Sequence, residues 1–164
     1  MDYAATLKAI ESLPLAVAIA GGDALFPWIE CVHVLAIVLL VGVIAMLDLR
    51  LIGWASRERP LDKLVSEWLP LVWGAFVAAV ISGLLLFIAK ASVYGHNLFF
   101  AGKMLLLVAA GFNMAYFHRV TWQGVAEWGR TTATTPRAAR LAGAASLVLW
   151  IVIVAFGRWI GFTR

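Results

Sequence analysis

Four ionisable side chains interrupt one long apolar run, FPWIECVHVLAIVLLVGVIAMLDLRLIGW (Phe26 to Trp54). Glu30 and His33 lie toward its start, Asp48 and Arg50 toward its end. A helix that crosses a bilayer needs about 20 mostly apolar residues, and this run supplies them. Ionisable groups inside such a helix are costly and raise a functional question by default. A later apolar run carries Lys103, Asn113 and His118. His33 to Asp48 and Lys103 to His118 have the same sequence spacing. Each pair spans about 22 Å along its helix and is turned by only about 60°. The spacing predicts an outer cluster of Glu30, His33 and Lys103, with His96 at the helix entry, and an inner cluster of Asp48, Arg50, Asn113 and His118.

Haem b in a helical bundle is held by histidines on facing helices. His33 is the candidate axial ligand, with His96, Met104 or a lysine as its partner. Ligation by two histidines at each of two levels has no support, because no second histidine shares the depth of His33. A copper site would use Cys31 with His33, and then His96 and Met104. The plainer readings stand beside these. Cys31, the single cysteine, packs as a small hydrophobe. Glu30 and His33, three residues apart, pair with each other and with Lys103. Asp48 pairs with Arg50, Arg119 or His118, and Arg50 snorkels to the surface. The same carboxylates and histidines would serve a proton or ion path. No Ser–His–Asp spacing, phosphate loop or HExxH motif is present, so hydrolysis and phosphoryl transfer have no support.

The elements that must position these groups follow from hydropathy. Of 164 residues, 63% are hydrophobic and only 13% charged, with a mean hydropathy of +0.94. A soluble domain is nearer half apolar and a quarter charged, so the chain reads as a membrane protein. Four spans are expected, at about 26–52, 68–89, 98–117 and 141–160. Residues 1–22 read as a short interfacial helix; Asp2 and Glu11 spoil the basic start of a signal peptide. Pro60 punctuates the first linker, and Thr131 to Pro136 form the loop-like part of the second. Trp122, Val125 and Trp128 mark a surface-lying piece before that loop.

The net charge of +4 reports orientation rather than nucleic-acid binding. Arg50, Arg57, Arg59 and Lys63 follow span one, and Arg119, Arg130, Arg137 and Arg140 follow span three. Lys8, Lys90, Arg158 and Arg164 are spread over the opposite side. The positive-inside rule then places both longer connections in the cytoplasm and both termini outside. Trp28, Trp54, Trp68, Trp122, Trp128 and Trp159 fall near the proposed interfaces, while Trp73 and Trp150 lie deeper, as packing residues. Small residues four apart (Ala75, Ala79 and Gly83; Gly111 and Ala115; Ala138, Ala142 and Ser146) predict close helix approach.

The segments LFPWIECVHVLAIVLLVGVIAMLDLRLIG and FFAGKMLLLVAAGFNMAYFHR, with the SLPLAVAI prelude, resemble a family of small bacterial four-span membrane proteins of unknown function. The resemblance covers nearly the whole chain and rests on ECVHVL, LDLRLIG and the Lys103, Asn113, His118 set. It implies the fold and a bacterial plasma membrane. More remotely, the His-containing first span is similar to copper-resistance D-like and cytochrome b-like membrane proteins, which implies haem or copper. The expectation is an all-α, four-helix transmembrane bundle acting as a cytochrome b-like or metal-handling module with its site near the outer face. The alternatives are a cofactor-free accessory subunit, packed against membrane or periplasmic partners or a second copy, and a small transporter.

Overall fold

In the computed structural model, which describes residues 2–56, 58–130 and 135–163, every regular element of the described residues is helical. Four helices are long and apolar enough to cross a membrane, which makes the architecture that of a multi-pass membrane protein. The expected loop at Thr131 to Pro136 lies outside the described residues except for Thr135 and Pro136, as do Arg57 and Arg164.

The prelude is two helices rather than one: α1 (Tyr3–Glu11) and α2 (Pro14–Gly21), bent by 70°. The Asp2 carboxylate caps α1, and Pro14 in the first turn of α2 starts the new direction. Leu7 of α1 and Ala16 and Ile19 of α2 are buried, so the pair is docked on the protein and not only laid on the bilayer. Helix α3 (Leu25–Ile52) ends at Gly53, whose φ of 93° lets its N–H and that of Trp54 reach back to the carbonyl of Leu49. Helix α4 (Leu61–Ala89) starts a full two turns before its apolar run, because Leu61 and Leu64 are buried at the end of the bundle that holds Arg50 and Trp128, labelled inner after the expected orientation alone, with the His33 end labelled outer. Pro70 sits within it. A short α5 (Ala91–Gly95) turns the chain into α6 (Leu98–Tyr116), whose cap Asn97 accepts from the N–H groups of Phe99 and Phe100.

Helix α6 runs on through a π turn (Phe117–Thr121), a 3-10 turn (Trp122–Gly124) and α7 (Val125–Trp128). The expected surface-lying piece is therefore tucked under the bundle. Trp128, expected at an interface, is buried against Leu51, Leu61 and Ala139 and donates to the Thr121 carbonyl at 3.2 Å. Trp73, expected in packing, is half exposed toward the lipid side. Helix α8 (Arg137–Trp159) completes the set.

The long helices pack in the order α4, α3, α8, α6, and α4 and α6 do not pack along their length. They meet at the outer end, where Phe87 stacks on Phe100 at 5.4 Å and Tyr94 stacks on the same ring. The bundle is thus open on one side. Helix α8 approaches α3 through Ala139, Ala142 and Gly143; a Cβ on Gly143 would come within 3.0 Å of Leu51. Gly111, by contrast, faces open space, and α6 buries no residue among those described.

Candidate functional site

His33 projects from α3 onto α4, where its Nδ1 lies 2.9 Å from Ser82 Oγ. The Ser82 hydroxyl donates to the Ala78 carbonyl at 2.6 Å, an intrahelical bond a serine in an apolar helix makes readily. That hydroxyl has one hydrogen, so the hydrogen between it and His33 belongs to the imidazole, and Nδ1 is the donor. In that arrangement Nδ1 carries the ring hydrogen beside Ser82, with the Ala79 backbone also at the ring, and Nε2 makes no hydrogen bond to another side chain among the described residues. Gly83 makes the seat: a Cβ there would stand 2.9 Å from His33 Cε1. Lys103, on α6, lies close enough to act on the imidazole electrostatically. Its side chain runs along α8 at Gly157, where a Cβ would be 3.5 Å from Nζ. Lys103 has no hydrogen-bond or ion-pair partner among the described residues.

The other members of the expected outer cluster stand apart. Glu30 is exposed, pairs with neither His33 nor Lys103, and faces Tyr94. Burial, with that carboxylate as second cause, pushes the Tyr94 phenol above its ordinary range. Cys31 is exposed while His33, two residues on, is turned inward, so a thiol and an imidazole on one metal are not brought together. His96 is exposed at the end of α5, with Nδ1 2.8 Å from the Ser92 carbonyl and its ring edge-on to Tyr3. Met104 is 38% exposed, about 100° around α6 from Lys103.

The expected inner cluster also dissolves into separate tasks. Arg50, 0% exposed, does not snorkel: Nε donates to the Arg59 carbonyl at 3.0 Å and Nη2 to the Gly129 carbonyl at 3.1 Å. Asp48, 6% exposed, has Ser146 of α8 beside it, pairs with neither Arg50 nor His118, and keeps Oδ2 without a partner. Asn113 ties α6 to the Ala142 carbonyl of α8 at 3.0 Å. His118 is exposed and bonds its own helix at Met114.

Sequence reasoning missed Ser82 and Gly157, whereas Gly83 was read as a small residue for close helix approach, and there the His33 ring packs. Ser82 was open to notice as the lone hydroxyl deep in the apolar run of α4, but which helix it would face was not written in that run. No group of three or more His, Cys, Asp or Glu side chains that could hold a metal ion occurs among the described residues.

Fold and site together define a small, all-helical, multi-pass membrane protein with one presented imidazole in its interior. The family of unknown function DUF6644 matches residues 15–163, and the chain belongs to it. No curated protein and no solved structure matches the chain.

Proposed function

We propose that this protein is a small cytochrome b-like electron-transfer module of the membrane, with its centre at His33. The observation that carries the reading is the anchored ring: Nδ1 lies 2.9 Å from Ser82 Oγ, whose own hydrogen is directed at the Ala78 carbonyl, and Nε2 makes no hydrogen bond to another side chain among the described residues. Ligating histidines hold their second ring nitrogen in this way, which orients the ring and raises its basicity. The Gly83 seat lets the imidazole lie close on α4, and the open side between α4 and α6 gives a planar apolar macrocycle an entry from the lipid. Haem, when bound, would supply one-electron transfer; the chain would supply His33 as ligand and apolar surroundings from α3 and α4. Copper handling at His33 is weaker, because Cys31 faces away.

A reduced-minus-oxidised visible spectrum of the purified protein, expressed with ample haem, tests the reading. A sharp b-type band that disappears in His33→Ala is the expected result. A colourless wild-type protein would sink it. The second reading, a cofactor-free accessory subunit, is favoured by α6, which buries no residue and has only α8 along its length. Co-purification of a stoichiometric membrane partner with a colourless protein would establish that instead.

A further inference from the structure

We propose that Asp48 is a proton-binding site, a carboxyl that holds its proton as the neutral acid inside the bundle and exchanges it through the inner end. The site is independent of His33, which lies about 22 Å away along α3.

Burial without a counter-charge is the first observation. Asp48 is 6% exposed, and its Oδ2 is buried with no hydrogen-bond partner. The side chain beside it is Ser146 of α8, a neutral hydroxyl. Among the described residues no ion pair joins Asp48 to a cation. On its own helix Arg50 lies about 200° further around and turns Nε and Nη2 to the Arg59 and Gly129 carbonyls. On α4, Asp62 and Lys63 are exposed and Glu67 pairs with Arg59. On α6 and its continuation His118, Arg119 and Glu127 are exposed, as are Arg137 and Arg140 on α8, and α2 has no charged residue. An ionised carboxylate in such a place is an uncompensated buried charge, and the group neutralises instead by taking a proton.

The second observation is the make-up of this level of the bundle, which is polar but uncharged. Asn113 of α6 donates to the Ala142 carbonyl of α8 at 3.0 Å. Ser146 follows one turn later, so groups from α3, α6 and α8 meet within about 6 Å along α8. Gly143 permits the approach: a Cβ there would stand 3.3 Å from the Asp48 carbonyl oxygen. A hard cation collects about six oxygens. Asp48 and Ser146 supply far fewer, and no group of three or more His, Cys, Asp or Glu stands here among the described residues. A proton needs one oxygen, and Oδ2 is the one left open. Asp48 is four residues, about 6 Å, from the end of α3, a short way to the inner surface. Carboxyls so placed in membrane helices act as proton relays.

Full-length protein in phospholipid nanodiscs, treated with dicyclohexylcarbodiimide, tests the site, because this apolar reagent attaches to carboxyl groups in their protonated form. Peptide mass mapping at neutral pH should find the label on Asp48 and not on exposed carboxyls such as Asp62, and labelling should fall as pH is raised. Infrared spectra of the same sample should show the carbonyl stretch of a protonated carboxyl, which shifts in heavy water and is lost in Asp48→Asn. Labelling and the heavy-water shift are both read on the unmutated protein, so the answer does not depend on a variant folding. An unlabelled Asp48, or a wild-type spectrum without that band, would overturn the proposal. So would labelling suppressed by sodium ions at constant pH, which would make the occupant a metal cation. His33→Ala should leave label and band unchanged.

Discussion

The two ends of this bundle use buried polar groups in opposite ways. At the inner end Arg50 points its donors at the carbonyls of Arg59 and Gly129, pinning the α3–α4 linker and the end of α7 to one guanidinium. The Gly129 carbonyl also accepts from Leu61 N–H, so three chain segments meet at that atom. At the outer end His33 has one nitrogen beside Ser82, and Lys103 has no hydrogen-bond or ion-pair partner among the described residues. Nor is the filling complete at the inner end, where Asp48 Oδ2 and Arg50 Nη1 are buried without a hydrogen-bond partner among the described residues. Unfilled polar atoms therefore occur at both ends, and the contrast lies in what the filled ones hold: carbonyls of separate chain segments at one end, a single hydroxyl at the other.

The comparison breaks most visibly at Arg50. Arg50→Ala strands the Arg59 carbonyl, leaves the Gly129 carbonyl with Leu61 N–H alone, and removes two charged hydrogen bonds. The cost should be about 3 kcal/mol or more. Arg50→Lys should recover little, because an ammonium cannot fork between the two carbonyls as the guanidinium does. Thermal melts in detergent measure both. A variant that melts with the wild type would show that the inner end is held by the Trp128 cluster alone.

The outer end should respond in the reverse sense, with site properties moving more than stability. Gly83→Ala places a methyl where the His33 ring now lies, and moving the ring should cost about 1–3 kcal/mol. Ser82→Ala removes the anchor and should cost about 1 kcal/mol. Both should weaken any haem band far more than Arg50→Ala does at a temperature where all are folded. Equal losses of colour in the inner and outer variants would erase the distinction between the ends.

Much of this was legible in the sequence for a physical reason. Four long apolar runs in a chain with few charges have only one solvent that suits them, and the family match fits an uncharacterised group of such chains. Equal spacing of His33–Asp48 and Lys103–His118 also led to the expectation that His33 and Lys103 share one level; no hydrogen bond or ion pair joins the two among the described residues. What spacing could not give is rotation about each helix axis. Glu30 and Cys31 share the first turns of α3 with His33 yet face elsewhere, and Asp48 was assigned Arg50 as a partner when Arg50 turns to carbonyls instead. Helix rotation is set by packing with other helices, and residues that fix it here, such as Ser82 and Gly143, look ordinary in their own runs. The starts of α4 and α8 were placed late because their first turns are polar on one side only, a pattern that hydropathy averages away.

A smaller effect is expected at the clasp of α1. The Glu11 carboxylate accepts from the Ser92 N–H at 2.8 Å and its hydroxyl at 2.9 Å, while Tyr3 donates to the Gly95 carbonyl. Glu11→Ala should cost about 1 kcal/mol. Faster amide exchange should be confined to α1 and α5, with the inner end untouched. Exchange that spreads to α7 would mean the two ends are not independent.

The smallest effect is a pH dependence at Tyr94, which stacks on Phe100 above the outer site. Burial first, and the Glu30 carboxylate second, raise its phenol in the folded protein above the unfolded value of about 10. The folded state therefore holds the phenolic proton more tightly. The stability this provides is fully present below the unfolded value and is lost as pH rises through the folded one. Melting temperatures of wild type and Tyr94→Phe should run parallel up to that range and converge or cross above it, because phenylalanine has no proton to lose. Glu30→Gln should retain the decline from the same onset but make it smaller and end it at lower pH, since only the lesser of the two causes is removed. Wild-type and Tyr94→Phe curves of the same alkaline slope would place the loss in other groups and detach Tyr94 from the closure of the outer end.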